Sequence, residues 1–312
     1  MSITMVLSLK VAQMFVILIT AFLLVKAGFF KPEYSKVLSK VVLFIVTPSL
    51  HIVAFQTDRT PETVRAFGIA VAAALFMHAV VFLISMISGK MLKLDGLEQA
   101  SIMYTNQGNL LVPLITSVLG TEYILYLTGF MLIQIPLMFS HGRMLIGGDR
   151  KLSLKKIVCN IGFFDIIVGF TLFITNIRFP SVISGAMNQC MNMAGPMCMI
   201  IAGMTLGSLD LKSLFTHARV YFITFMKLFA APAVLMLVFA VLHVRQLVPG
   251  SDAILYIAFL CAAAPSASSI VSIAQVYGGD AEKASHINCM TTLFCVVSIP
   301  LMSYVYEHLI GV

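Results

Sequence analysis

The feature that most constrains this chain is a succession of long stretches without Asp, Glu, Lys or Arg. They cover residues 11–25, 41–57, 66–89, 99–121, 123–142, 179–209, 253–279 and 284–306. Two more, 157–177 and 220–244, are each interrupted by a single charge, Asp165 and Lys227. A transmembrane helix needs about 20 predominantly apolar residues, so the pattern predicts ten membrane helices. In hydrocarbon each backbone N–H and C=O must find a partner within the protein, which makes a helical bundle the expected fold. Composition agrees. Of 312 residues, 60% are hydrophobic and 11% charged, against about 25% charged in a soluble domain. Too few polar residues remain to cover a water-facing surface. Soluble enzymes, nucleic-acid modules and disordered chains are excluded on that ground, and the short loops leave no room for a second soluble domain.

The first stretch, Val11–Val25 after Lys10, has the outline of a signal peptide. It ends in Val25-Lys26-Ala27-Gly28-Phe29-Phe30 rather than in a small-x-small cleavage site, so it reads as a retained first helix. The six cysteines (Cys159, Cys190, Cys198, Cys261, Cys289 and Cys295) lie in apolar stretches with no C-x-x-C pair and no histidine at ligand spacing. They read as packing residues, as do the 20 methionines. No metal site and no cofactor are expected.

The net charge of +7 would suggest a nucleic-acid partner in a soluble protein; here it is a matter of topology. One alternating set of loops holds Lys26, Lys31, Lys36, Lys40, Lys90, Lys93, Arg143, Arg150, Lys151, Lys155, Lys156, Lys212, Arg219 and Lys283, which is 14 basic residues. The other set holds Lys10, Arg59, Arg65, Arg178 and Arg245, which is 5. Basic loops stay cytoplasmic. Both termini are therefore expected outside, in a multi-pass protein of the plasma (inner) membrane.

The prolines hint at an internal repeat. Pro32 and Pro48 are 16 apart, as are Pro180 and Pro196, at an offset of 148, and each pair is expected to frame a helix, the second and the seventh. Ile135-Pro136-Leu137-Met138 recurs as Ile299-Pro300-Leu301-Met302 at an offset of 164. The halves are divided at 1–150 and 151–312, in the basic loop Gly147-Gly148-Asp149-Arg150-Lys151. With five helices in each, the second half runs through the membrane in the opposite sense. Inverted repeats are a transporter architecture, with the site near the midplane where the halves meet.

The fourth stretch reads TNQGNLLVP (105–113) and the ninth AAAPSASSIVSIAQ (262–275). Asn106, Gln107 and Asn109 surround Gly108, with Pro113 following; Pro265 is followed by Ser266, Ser268 and Ser269. Gly weakens a helix and Pro removes a hydrogen bond while clashing with the preceding turn. Singly, such residues serve close helix packing or interhelical hydrogen bonds. Interruptions at matching places in both halves point instead to a substrate site. The N-terminus of a half-helix offers open N–H donors and partial positive charge, suited to a carboxylate.

Two charges lie deep. Lys227 in TFMKLFAAP (224–232) and Asp165 in NIGFFDIIVGF (160–170) each cost at least about 2.5–3.5 kcal/mol at mid-membrane. They are expected to pair with each other, or else Lys227 attracts an anionic substrate while Asp165 handles protons. His78 is a second candidate for ion coupling, with a hydrogen-bonded packing histidine as its alternative.

These residues together resemble the auxin efflux carrier family, which includes plant auxin carriers and bacterial malate and malonate carriers. The resemblance covers nearly the whole chain. It is carried by Lys26-Ala27-Gly28-Phe29, by Asn106 six residues before Pro113-Leu114-Ile115, by Pro265 followed by Tyr277-Gly278-Gly279-Asp280, and by Lys227 with Pro232. Asn160-Ile161 stands where the family often has Asn-Pro, and Asp165 matches no family pattern. The resemblance implies ten helices in two inverted five-helix repeats. The fourth and ninth would cross at their breaks with the substrate beside them. The first, second, sixth and seventh would form a scaffold, often dimerising, and the rest a moving transport unit. Expected partners are a small organic anion, membrane lipid and a second copy, with H+ or Na+ as coupling ion.

The function expected is a secondary carrier of a mono- or dicarboxylate working by alternating access, and not an enzyme. The rival within that class is a sodium-coupled carrier like the bile acid:sodium symporters. An intramembrane enzyme fits poorly. Residue 277 is Tyr, so Gly278-Gly279-Asp280 does not complete G-x-G-D, and no H-E-x-x-H is present.

Overall fold

The computed structural model describes residues 3–148, 161–248 and 250–310. The division at 150/151, Asn160 and Cys159 lie outside the described residues. The described chain is helical, and seven of its helices are long and apolar enough to cross a membrane. These are α1 (Ile3–Lys26), α2 (Tyr34–Ala54), α3 (Pro61–Met91), α6 (Thr121–Gly147), α8 (Ser181–Ser208), α9 (Ala218–Val241) and α12 (Ala281–Ile310). Shorter helices fill the order: α4 (Gly96–Met103), α5 (Val112–Val118), α7 (Ile161–Ile174), α10 (Asp252–Ala263) and α11 (Ser269–Tyr277). The fourth and ninth stretches are thus each two helices, α4/α5 and α10/α11.

Local chemistry sets several boundaries. Thr60 caps α3 with a reciprocal bond to Thr63, and Pro61 opens it at the position where a missing N–H costs least. Asp95 and Glu98 form the same box at the start of α4. Pro48 and Pro196 lie inside α2 and α8 rather than at their ends, which corrects the expectation that they frame helices. Each marks a junction within a longer helix, after the widened turn Val42–Val46 in α2 and at the Met193 joint in α8.

Such widened turns recur before prolines. Val42–Val46 precedes Pro48, Gln107–Leu111 precedes Pro113, and Met226–Ala230 precedes Pro232. A proline ring clashes with the carbonyl four residues back, here that of Phe44, Asn109 or Leu228. Opening the turn from i→i+4 to i→i+5 bonding moves that carbonyl aside.

Two sets of helices pack mostly among themselves: α1, α2, α7 and α8 in one, the remainder in the other. The tightest seam joins α1 to α8. A Cβ on Gly203 would collide with the Leu18 carbonyl, and one on Gly207 would lie 2.8 Å from Val25 Cβ. Gly203-x-x-x-Gly207 lets the two backbones approach as closely as membrane helices do without a hydrophobic drive to associate.

Candidate functional site

The two interruptions meet. Tyr104–Asn106 and Pro265–Ala267 are extended and pair as a short antiparallel bridge, Thr105 opposite Ser266. Asn106 N donates to Pro265 O at 2.8 Å, and Ala267 N donates to Tyr104 O at 3.1 Å. Backbone groups released by the two breaks thus satisfy one another, as burial in an apolar medium requires.

Side chains complete the pairing. Thr105 N and Oγ1 donate to Gln134 Oε1 at 3.1 and 2.9 Å, and Gln134 Nε2 donates to Thr105 O at 2.8 Å. On the other strand Ser266 N donates to Thr291 Oγ1 at 3.2 Å, and Asn288 Nδ2 donates to Ser266 O at 2.8 Å. Gln134 from α6 and Asn288 with Thr291 from α12 therefore hold the crossing from both flanks. None of the three stands out in the sequence, where one amide in an apolar helix is a weak signal.

A cavity of about 1140 Å3 rises from the crossing towards one end of the bundle. Asn106, Pro265, Ser268 and Ser269 line it at the crossing, joined by Asn288 and Thr292. Further out come Ser39, Thr205, Ser272 and Gln275, then Lys36 and Glu33 where α2 begins. No lining residue comes from the opposite end of the bundle, so the cavity opens on one side. There Gly195 sits against Pro113, whose Cβ would lie 2.7 Å from a Cβ at 195.

Half-helix ends converge on the crossing. α11 starts there and presents its N-terminus beside Ser268 and Ser269, where partial positive charge gathers. α4 ends there, and its C-terminal carbonyls carry the opposite sign. Lys227 is completely buried and donates to Ile102 O at 2.9 Å. It places a cation on the negative end of α4, among carbonyls that the helix leaves unbonded.

Of the residues singled out in the sequence, Asn106, Pro265, Ser268 and Ser269 are brought together on the cavity. Ser266 and Gln107 lie beside them but buried, with no described partner for either side-chain polar atom of Gln107. Gly108 lies at the crossing, where a Cβ would have only Met131 Cε within 4 Å, at 3.9 Å. Pro113 packs on α8, and the side chain of Asn109 is outside the described set. Lys227 is not among the residues lining the cavity. His78 donates from Nδ1 to Ala74 O at 2.7 Å, one turn back on its own helix.

The Asp165–Lys227 pair, one of the two alternatives the sequence left open, does not form. Asp165 Oδ1 instead meets His51 Nδ1 at 2.8 Å. His51 carries the same local signal as His78, a histidine mid-way through an apolar stretch, and the sequence does not show that it meets Asp165, 114 residues away.

A second charged cluster ties the start of α4 to α9 and α12 at the cavity's open end. Lys283 Nζ lies 2.6 Å from Asp95 Oδ2 and 2.7 Å from Glu98 Oε1, and Arg219 Nε lies 2.9 Å from Glu98 Oε1. Among the described residues no cluster of His, Cys, Asp and Glu could hold a metal ion.

Residues 6–156 and 150–303 each match the model of the family described as "Membrane transport protein". No curated protein matches the chain.

Proposed function

Because the chain belongs to that membrane transport family, the family of the auxin efflux carriers, we propose that it is a secondary carrier of a small organic anion, a mono- or dicarboxylate, working by alternating access in the plasma membrane. The observation that carries this reading is the hydrogen-bonded crossing of two interrupted helices at the floor of a cavity open on one side. Such a site offers a carboxylate the N-terminus of α11, the amides of Asn106 and Asn288 and the hydroxyls of Ser268 and Ser269. No cationic side chain lines the cavity at the crossing, Lys227 being turned to the end of α4, and Lys36 near the open end supplies the attraction that draws an anion in. A weakly held anion can leave again on the far side, which a carrier requires.

The two helix sets give alternating access its parts. α1, α2, α7 and α8 would stand still, and dimerise through their outward apolar faces, while the rest move as a unit on the crossing. The basic-residue count puts the cavity's open end in the cytoplasm and both termini outside. The ten passes then form two inverted halves, the second beginning after residue 150.

The test is exchange of labelled malate, malonate and indole-3-acetate by purified protein in liposomes. Exchange of at least one of them by the wild type, and its loss in Asn106→Ala, supports the reading. Absence of exchange across a wider carboxylate panel refutes the substrate class.

A further inference from the structure

We infer that His51 and Asp165 form a proton-binding site, plugged by Met131, which opens to one aqueous phase or the other as the crossing moves. The inference rests on the transport reading above and names the ion and its seat.

The two side chains lie on α2 and α7, each 2–3% exposed, joined at 2.8 Å. His51 Nε2 faces Met131 Sδ on α6 at 3.1 Å. Both neighbours of the ring are acceptors, one a carboxylate and the other a thioether. Both contacts become donor-to-acceptor only when the pair carries one proton beyond neutral imidazole and carboxylate, either as imidazolium beside carboxylate or as neutral Nε2–H imidazole beside a protonated carboxyl; without that proton one ring nitrogen sets a lone pair against a lone pair. In either form the pair carries no net charge. Removing the proton would leave a bare negative charge in an apolar surround, which is strongly unfavourable. The pair therefore binds a proton while sealed.

Asp165 Oδ2 is buried with no partner among the described residues. The site thus holds an unused acceptor, as a purely structural pair would not. Other titratable side chains lie on the neighbouring helices. On the elements packed against α2 and α7 they are Glu122, Tyr123, Tyr126, His141 and Arg143 on α6 and Cys190 and Cys198 on α8, and α3, whose Phe67 stacks on Phe170, carries Glu62, Arg65, His78 and Lys90. Lys36 and Lys40 share α2 itself but lie three turns or more away towards the cavity's open end. None bonds His51 or Asp165.

Met131 is the plug. Its sulfur covers His51 Nε2, and its methyl is the atom nearest the open face of Gly108 in the crossing. One turn along the same helix, Gln134 grips Thr105. Movement of the crossing against α2 and α7 therefore carries Met131 with it and uncovers the imidazole towards whichever aqueous phase the cavity then meets. The step is proton exchange alone: imidazole takes H+ from water on one face, and the imidazolium returns H+ to water on the other. An N–H bond forms as a hydronium O–H bond breaks on one face, and the N–H breaks as an O–H forms on the other.

The test is the transient current that a pH step evokes from proteoliposomes on a solid-supported membrane, with no substrate added. Wild-type protein should give a charge displacement above that of protein-free liposomes. His51→Gln and Asp165→Asn should lose it, while Met131→Ala should keep it with a faster rise. A wild type without current overturns the inference. So does either pair variant with wild-type current, or Met131→Ala with a wild-type rise time. A folding defect is separated by the Met131→Ala arm and by elution of each variant as one monodisperse species. Malate exchange by the wild type at equal pH reports separately on the carboxylate reading, and its failure would leave the current to decide the proton site.

Discussion

Gln134 binds Thr105 through every hydrogen-bonding group that Thr105 has: its N–H, its hydroxyl and its carbonyl. A residue in an extended break has no helix to satisfy it, and Gln134 replaces that helix from α6. Gln134→Leu leaves the buried Thr105 N–H and hydroxyl unbonded, at about 1–3 kcal/mol each, while Thr105 O keeps the bond it accepts from Gln107 N at 3.0 Å. The thermal midpoint in detergent should fall clearly, and exchange activity should fall with it. A midpoint equal to wild type would show that the crossing does not depend on this clasp.

Lys227 and Asn106 should respond in opposite ways. Lys227→Met removes the cation from the end of α4, so the unliganded midpoint should drop while the further rise caused by a bound carboxylate persists. Asn106→Ala removes a cavity amide, so the midpoint should hold while that rise shrinks. A ligand at a hundredfold its Kd stabilises by about 2.7 kcal/mol, enough to read in a thermal-shift assay. If Lys227→Met abolishes the ligand response, Lys227 acts on the substrate after all.

The cavity is accessible from one side. In a cysteine-free background, Ser272→Cys and Gln275→Cys should react with a membrane-impermeant thiol reagent in inside-out vesicles and stay protected in right-side-out ones. Thr57→Cys, at the opposite end, should show the reverse. Equal labelling of Ser272→Cys from both sides would contradict the seal.

Gly195→Ala should loosen that seal. Carbon atoms rest about 3.5–4.0 Å apart, whereas the new methyl would begin 2.7 Å from Pro113 Cβ. α5 and α8 must separate by roughly 1 Å to relieve it. Labelling of Thr116→Cys, on α5, should therefore rise from the closed side. Unchanged labelling there would place the gate elsewhere.

How much of this was legible in the sequence depends on the range of the interaction. The interruptions at Gly108, Pro113 and Pro265 are local chemistry, and they predicted the two broken helices that the structure shows. The bridge between Thr105 and Ser266 joins residues 161 apart, and no local pattern announces it. Lys227 illustrates a different loss. Its depth was plain, but its partner is a backbone carbonyl, and every residue has one. For Asp165 the sequence offers Lys227 as one possible partner, and the histidine that it does meet, His51, lies 114 residues away with no local pattern to connect them. The long α3 and the caps at Thr60 and Asp95 follow from residues a turn apart, where sequence reading is at its strongest.

The widened turns before Pro48, Pro113 and Pro232 have a consequence for rotation. Each inserts one residue into the helical count, and one residue is about 100° of arc. Side chains before and after such a turn are thus dialled to different compass bearings on the same rod. A helical wheel drawn straight through α2 or α9 assigns the wrong bearing to everything beyond the turn. Replacing the proline would remove the reason for the extra residue. Either the turn would persist as stored torsion, or the far half of the helix would swing by about a quarter of a revolution and present a different face to its neighbours. The three prolines thereby act as angular set-screws, fixing which residues of one continuous helix look towards the crossing and which towards lipid.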